Sequence, residues 1–171
     1  HTVFDCESFS SIVGQDVVCA SDSISLDATQ PFVDTFTWVL NNEVVSTAST
    51  FTYPAETGNY SVVLTTSNAL CDIPDDAYEP EVHTYSVVVN PLPSAEVTTE
   101  GSVLTAVDGV AWQWSIDGIA AVTTPSIVAS QTGMYTVEIT NEFGCSVVSD
   151  SLAITSGITN IQLQASINVY P

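Results

Sequence analysis

The sequence predicts an all-β protein organised as two tandem β-sandwich domains, and three observations lead to this prediction. Apolar and polar residues alternate in short runs, as in Thr35–Leu40 and residues 135–139, and a period of two is typical of half-buried strands. Turn-forming pairs such as Asn41-Asn42 and Asp117-Gly118 separate the runs, which favours hairpins. The same features then occur twice in the same order, which indicates an internal repeat.

The repeat consists of a tryptophan strand that leads into a two-residue turn, a glycine–tyrosine strand, and an asparagine that precedes a cysteine. The matched pairs are residues 36–42 with 112–118, 56–62 with 131–137, and 68–71 with 141–145. Two prolines in the segment 90–93 mark a short, stiff linker between the copies. We therefore expect domains at residues 1–91 and 92–155, followed by a terminal strand or tail at residues 156–171.

Four aromatic residues are the expected centre of the two cores. Trp38 and Trp114 lie in the middle of their strands, at the position of the core tryptophan of immunoglobulin-type sandwiches. Tyr60 and Tyr135 follow a glycine at the start of a later strand, as in a tyrosine corner, where the hydroxyl ties a loop to the strand. These positions predict two tandem immunoglobulin-like sandwiches, with an aromatic ligand-binding role as the weaker alternative.

The charge of the chain is entirely of one sign. It contains 20 acidic residues and no Lys or Arg, so the formal net charge is -20. Nucleic-acid binding requires cationic side chains that contact the phosphates, and this chain has none from Lys or Arg. No apolar run approaches the roughly 20 residues that span a bilayer. We therefore expect no nucleic-acid partner and no membrane insertion. Stability has to come from apolar burial, hydrogen bonds and disulfides.

The sequence contains none of the common catalytic motifs, and without Lys or Arg it lacks phosphate and oxyanion clamps built from those residues. We expect no enzyme activity and no resident cofactor. A copper site formed by His1 and His83 is the enzymatic alternative, but His83 lies in a run that is typical of a strand. An acidic insertion could hold Ca²⁺ or form a solvated loop, and its candidate ligands are Asp72, Asp75, Asp76 and Glu79.

The four cysteines include no CxxC pair, so an extracellular disulfide is favoured over a zinc site. A Cys19–Cys71 bridge across the first sandwich is the main prediction. Cys6 and Cys145 are then left over. They are expected to be buried or free thiols, or to link neighbouring copies or domains, and a Cys6–Cys19 bridge is a further alternative.

Residues 114–118, 133–137 and 141–146, which read Trp-Ser-Ile-Asp-Gly, Gly-Met-Tyr-Thr-Val and Asn-Glu-Phe-Gly-Cys-Ser, carry a family resemblance. The chain resembles the immunoglobulin-like and PKD-like repeats of secreted Bacteroidota proteins over roughly residues 12–155. Residues 158–171 resemble the start of a type IX secretion C-terminal sorting domain. The resemblance implies an extracellular or cell-surface location, with the type IX secretion machinery as a partner.

Two short motifs add a modification to these expectations. Asp22-Ser23-Ile24 and Asp150-Ser151-Leu152 resemble the O-glycosylation sites of Bacteroidota, which implies modification at Ser23 and Ser151.

The predicted function is that of a non-catalytic structural module of a secreted bacterial surface adhesin or stalk, whose partners are other copies of itself or neighbouring immunoglobulin-like domains. One alternative is a subunit of an extracellular filament, joined by terminal strands or by disulfides between subunits. The other is an accessory region of a secreted hydrolase.

Overall fold

The computed structural model describes residues 11–31, 33–67 and 80–155. All regular elements in this part of the chain are β-strands, which confirms the all-β prediction. None of these residues forms a helix that is long and apolar enough to cross a bilayer. The chain divides into two compact units between Leu92 and Pro93, inside the proline-containing segment at residues 90–93.

The first unit is a sandwich of two sheets. One sheet has the strand order β1-β3-β6 and the other β2-β8-β7-β4-β5. All its pairings are antiparallel except that of β2 with β8, which is parallel. The strands are β1 (Val13–Gly14), β2 (Val17–Cys19), β3 (Ser23–Asp27), β4 (Thr35–Leu40), β5 (Glu43–Ser46), β6 (Thr50–Pro54), β7 (Gly58–Ser67) and β8 (Glu81–Asn90).

The core of the first unit lies between these sheets because alternate residues of each strand point inward. In β3, for example, Ile24 and Leu26 are buried while the residues beside them are exposed. Aromatic rings form a continuous series through this core. Trp38 stacks on Phe51 with ring centroids 5.5 Å apart, and Phe51 stacks on Tyr53 at 6.1 Å.

The second unit repeats this architecture with shorter strands. One sheet has the order β13-β10-β9, and the other has the order β12-β11-β14-β15, with β16 also paired to β14. Leu104, Trp114, Val137 and Ile139 are fully buried between them. The strands are β9 (Val97–Glu100), β10 (Val103–Ala106), β11 (Ala111–Ile116), β12 (Ile119–Ala120), β13 (Ser126–Val128), β14 (Gly133–Thr140), β15 (Ser146–Val148) and β16 (Leu152–Ile154).

The hairpin after each tryptophan strand is closed by the two-residue turn that the sequence predicts. Asn41 and Asn42 have φ of 53° and 65°, and Asp117 and Gly118 have φ of 53° and 78°. Positive φ at both central residues is the signature of the type I′ turn, whose twist matches that of the flanking strands. Asn, Asp and Gly adopt this conformation at low cost, so local chemistry fixes both hairpins.

Hydroxyl pairs join neighbouring strands at positions where charged pairs often occur in other sheets. Each pair links directly opposed residues and contributes a cross-strand hydrogen bond that needs no cation. The pairs are Thr35 with Ser67 at 2.5 Å, Thr105 with Ser126 at 2.9 Å and Thr140 with Ser146 at 2.8 Å.

Candidate functional site

The two tryptophans occupy the same place in the two units. Trp38 and Trp114 are both 0% exposed. The indole N–H of Trp38 donates to the carbonyl of Ala48 at 2.8 Å, and that of Trp114 donates to the carbonyl of Thr124 at 2.9 Å. Each polar atom of the ring is thus satisfied inside its own unit. The tryptophans are core residues, and neither presents a face to a ligand.

The two tyrosines both form a corner, but they are buried to different extents. The Tyr60 hydroxyl donates to the Glu56 carbonyl at 2.9 Å, and the Tyr135 hydroxyl donates to the Gln131 carbonyl at 3.0 Å. Tyr135 is fully buried. Tyr60 is only partly buried and packs against the edge of the core, which corrects its expected place in the core centre.

Strand register explains the difference between the tyrosines. Trp38 is paired with Leu64 in β7, and Trp114 is paired with Val137 in β14. Tyr60 therefore precedes Leu64 by four positions, whereas Tyr135 precedes Val137 by only two. In the first unit, the residue two positions before Leu64 is Val62, and Val62 takes the buried place that Tyr135 has in the second unit.

The second unit contains a clasp between its type I′ turn and the start of β14. The Asp117 backbone N–H donates to the Met134 carbonyl at 2.9 Å, and the Asp117 carboxylate accepts the Met134 N–H at 2.9 Å. A Cβ atom on Gly133 would lie 2.9 Å from Ile116 Cγ2 and 3.0 Å from Asp117 Oδ2. This glycine is therefore required by close packing, and sequence reasoning identified it only as part of the repeat.

The structure describes two of the four cysteines, Cys19 and Cys145, and both are disulfide-bonded. The expectation that Cys145 is a free thiol or a link between copies is therefore wrong, because Cys145 is bonded within a single chain and is 1% exposed. Its position is set by Asn141, whose side-chain oxygen accepts the N–H groups of Phe143 and Cys145. Cys6 and Cys71 lie outside the described residues, so the Cys19–Cys71 pairing stays a prediction.

The candidate calcium ligands Asp72, Asp75, Asp76 and Glu79 also lie outside the described residues, as does His1. Within the described ranges, no group of three or more His, Cys, Asp or Glu residues is placed to hold a metal ion. His83 lies in β8, where its Nε2 is 3.3 Å from Oε2 of Glu81.

The two candidate glycosylation residues are exposed. Ser23 begins β3 opposite Pro54, and Ser151 directly precedes β16. Both hydroxyl groups are therefore in positions that a modifying enzyme could reach, and their modification stays a prediction.

Several carboxylates are fixed by neutral donors. The N–H groups of Ser94 and Gly109 donate to Asp108, and these hydrogen bonds lower the pKa of the Asp108 carboxyl. A hydrogen bond to Asp16, together with burial, raises the pKa of the Tyr85 phenol to about 12. This bond ties the segment between β1 and β2 to the middle of β8.

The surface of the described residues has shallow depressions. Two in the second unit have volumes of about 230 Å³ and 260 Å³. A larger one of about 340 Å³ lies on the first unit. Its lining contains amides, a hydroxyl and aliphatic groups but no charged side chain: Val39, Asn41, Asn42, Asn59, Ser61 and Val63.

No protein-family model matches the chain, and no curated protein matches it. Among solved structures, the fibronectin(III)-like modules of Clostridium thermocellum CbhA are 13% identical, with a TM-score of 0.45 over 84% of this chain and 90% of that one. SGBP-B of the Bacteroides ovatus mixed-linkage glucan utilization locus, solved with a mixed-linkage heptasaccharide, is also 13% identical, with a TM-score of 0.38 over 90% of this chain. The match spans 45% of the SGBP-B chain. At these identities and TM-scores, neither likeness establishes a family or a function.

Proposed function

We propose that this chain is a non-catalytic structural module of a secreted bacterial surface protein, in which two immunoglobulin-like sandwiches act as a spacer or stalk. The observation that carries the proposal is the duplicated framework. In both units a fully buried tryptophan bonds to a carbonyl ten residues later, and a tyrosine bonds to a carbonyl four residues earlier. These groups hold each sandwich together and are not available for binding or chemistry.

The cysteines support export from the cytoplasm. Cys19 and Cys145 are both disulfide-bonded, and disulfides persist mainly in oxidising compartments such as the cell exterior. Type IX secretion and placement in an adhesin are finer proposals that rest on the sequence resemblance alone. The terminal segment that carries the secretion resemblance lies outside the described residues.

Mechanical unfolding of single molecules tests the module role, because a stalk made of independent sandwiches extends in separate steps. Under reducing conditions we expect two unfolding events, with contour-length gains of roughly 25 nm for residues 11–92 and roughly 20 nm for residues 93–155. A single event, or gradual extension without a force peak, would contradict the proposal.

The same experiment without reductant serves as its control and tests the predicted Cys19–Cys71 bridge. A bridge between these residues leaves Cys6 as the partner of Cys145, which is also disulfide-bonded, and the two bridges together would suppress both gains until reductant is added. A gain of roughly 18 nm without reductant, which corresponds to the residues between Cys19 and Cys71, would reject that pairing while leaving the module role in place.

A further inference from the structure

We infer that the outer face of the sheet β2-β8-β7-β4-β5 is a docking surface for a second copy of this chain. We call it the uncharged face, and it is defined by the side chains of these strands that point away from the core. The inference deepens the proposed function because it names a partner and a surface for the first sandwich.

Strand alternation identifies the residues of this face. Leu64 and Trp38 are buried, so their neighbours Thr65 and Thr37, which are directly paired, lie on the opposite side of the sheet. Thr65 is also paired with Val82 of β8, which is 64% exposed. By the same alternation, the outward strand residues are Val, Thr, Ser or Asn, together with the disulfide-bonded Cys19, which is paired with Asn90.

The absence of charge on these outward strand positions is unusual for this chain, which contains 20 acidic residues and a net charge of -20. Two copies of this chain repel through their net charge, and like charges brought into direct contact would add a further cost, so docking costs least on a face without charge. Within the described part of the first unit, this face presents aliphatic groups and hydroxyls to the solvent. Val44, Val82 and Val88 on it are 62%, 64% and 40% exposed.

The size of the face suits a dimer. Five strands about 4.8 Å apart and up to ten residues long cover roughly 20 Å by 30 Å. Each copy contributes a projected area of about 600 Å². The area buried on both copies together therefore exceeds the total of roughly 1,000 Å² that a specific interface needs. Two such sheets pack face to face about 10 Å apart, and the depression beside Val39 and Val63 gives the surface relief that a partner could fill.

The second unit supplies an internal contrast. Its tryptophan is paired with Val137, so Glu138 occupies the register position that Thr65 has in the first unit. Glu138 is exposed and is paired with Gln113 and Val148 in the middle of the sheet. A second copy on that face would bring carboxylates together, so the inference assigns docking to the first unit alone.

The test compares Thr65→Glu with Thr65→Gln in the full chain, by sedimentation velocity and light scattering from about 1 µM to about 1 mM, the range that separates micromolar from millimolar affinity. We expect the wild type and Thr65→Gln to form non-covalent dimers. Thr65→Glu should raise the apparent dimer dissociation constant about tenfold or more. Glu138→Thr serves as the control on the other unit and should leave the dimer unchanged. Circular dichroism establishes that each variant is folded.

Three outcomes would overturn the inference. The first is a wild-type chain that stays monomeric to about 1 mM, and the second is a folded Thr65→Glu variant that dimerises like wild type. The third is a monomeric chain that binds a neutral glucan hexasaccharide in a manner blocked by Thr65→Glu, which would assign the face to a glycan. A monomeric chain would leave the two-step mechanical unfolding unaffected, so failure of this inference is distinguishable from failure of the module role.

Discussion

The two tyrosine corners provide a matched pair of substitutions within one chain. Tyr135→Phe and Tyr60→Phe each remove one hydroxyl, and in each case the lost hydrogen bond goes to a carbonyl four residues earlier at about the same length. The environment differs, because Tyr135 is fully buried whereas Tyr60 is only partly buried. Water can therefore replace the lost partner more easily at Tyr60 than at Tyr135.

The expected magnitudes follow from this difference in burial. A hydrogen bond contributes about 0.5–1.5 kcal/mol net, and a buried group that loses its partner costs about 1–3 kcal/mol. We expect Tyr135→Phe to lower the free energy of unfolding by about 1.5 kcal/mol and Tyr60→Phe by about 0.5 kcal/mol. For a unit of this size, a change of 1 kcal/mol shifts Tm by about 4–8 °C, so the two shifts are about 6–12 °C and about 2–4 °C.

Thermal unfolding followed by circular dichroism and tryptophan fluorescence measures both shifts. Fluorescence assigns them to units, since Trp38 is the one tryptophan of the first unit while Trp112 and Trp114 belong to the second. Tyr135→Phe should shift the transition reported by the second unit. Equal costs for the two variants, or a larger cost for Tyr60→Phe, would refute the link between strand register and burial.

Three further predictions concern packing, protonation and charge. Gly133→Ala should destabilise the second unit by about 1–3 kcal/mol, measured by denaturant unfolding, because its Cβ would meet Ile116 and Asp117; a neutral result would show that the clasp relaxes freely. In a spectrophotometric alkaline titration, Tyr85 should ionise near pH 12, and Asp16→Asn should lower its pKa toward 10. Because the pKa of Tyr85 is higher in the folded state than in the unfolded state, the stability from its contact with Asp16 is present below pH 10 and is lost as the pH rises toward 12. Salt should raise Tm, because it screens a net charge of -20, and a Tm that is unchanged between 10 mM and about 0.5 M NaCl would contradict the expected self-repulsion.

Local chemistry explains what the sequence predicts well. Alternation with a period of two identifies the strands, and Asn-Asn and Asp-Gly pairs identify the type I′ hairpins, because the required positive φ depends on the two turn residues themselves. The buried tryptophans follow from the same pattern, since each lies on the apolar side of its own strand.

Features that depend on pairing between distant strands were not predictable in this way. Tyr60 and Tyr135 occupy matching positions in the repeat, yet β7 and β14 meet their tryptophan strands in different registers. The sequence likewise does not show that Cys145 is directed into its unit by the side chain of Asn141. The uncharged face is dispersed over strands far apart in the chain, so it becomes visible only when the register is known.

The lack of Lys and Arg shapes how the carboxylates of this chain are stabilised. Asp108 accepts the N–H groups of Ser94 and Gly109, and Asp117 accepts that of Met134, so backbone amides take the place of cations. The folded pKa of Asp108 lies below its ordinary value of 3.8, so its contribution is present above pH 3.8 and is lost as the pH falls through the lowered pKa. Acid also lowers the magnitude of the net charge of -20 and so relieves the mutual repulsion of the chain. Acid below pH 3.8 therefore acts in two opposite directions, because it weakens the repulsion between carboxylates and also removes the charge that holds the amides of Ser94 and Gly109 at Asp108.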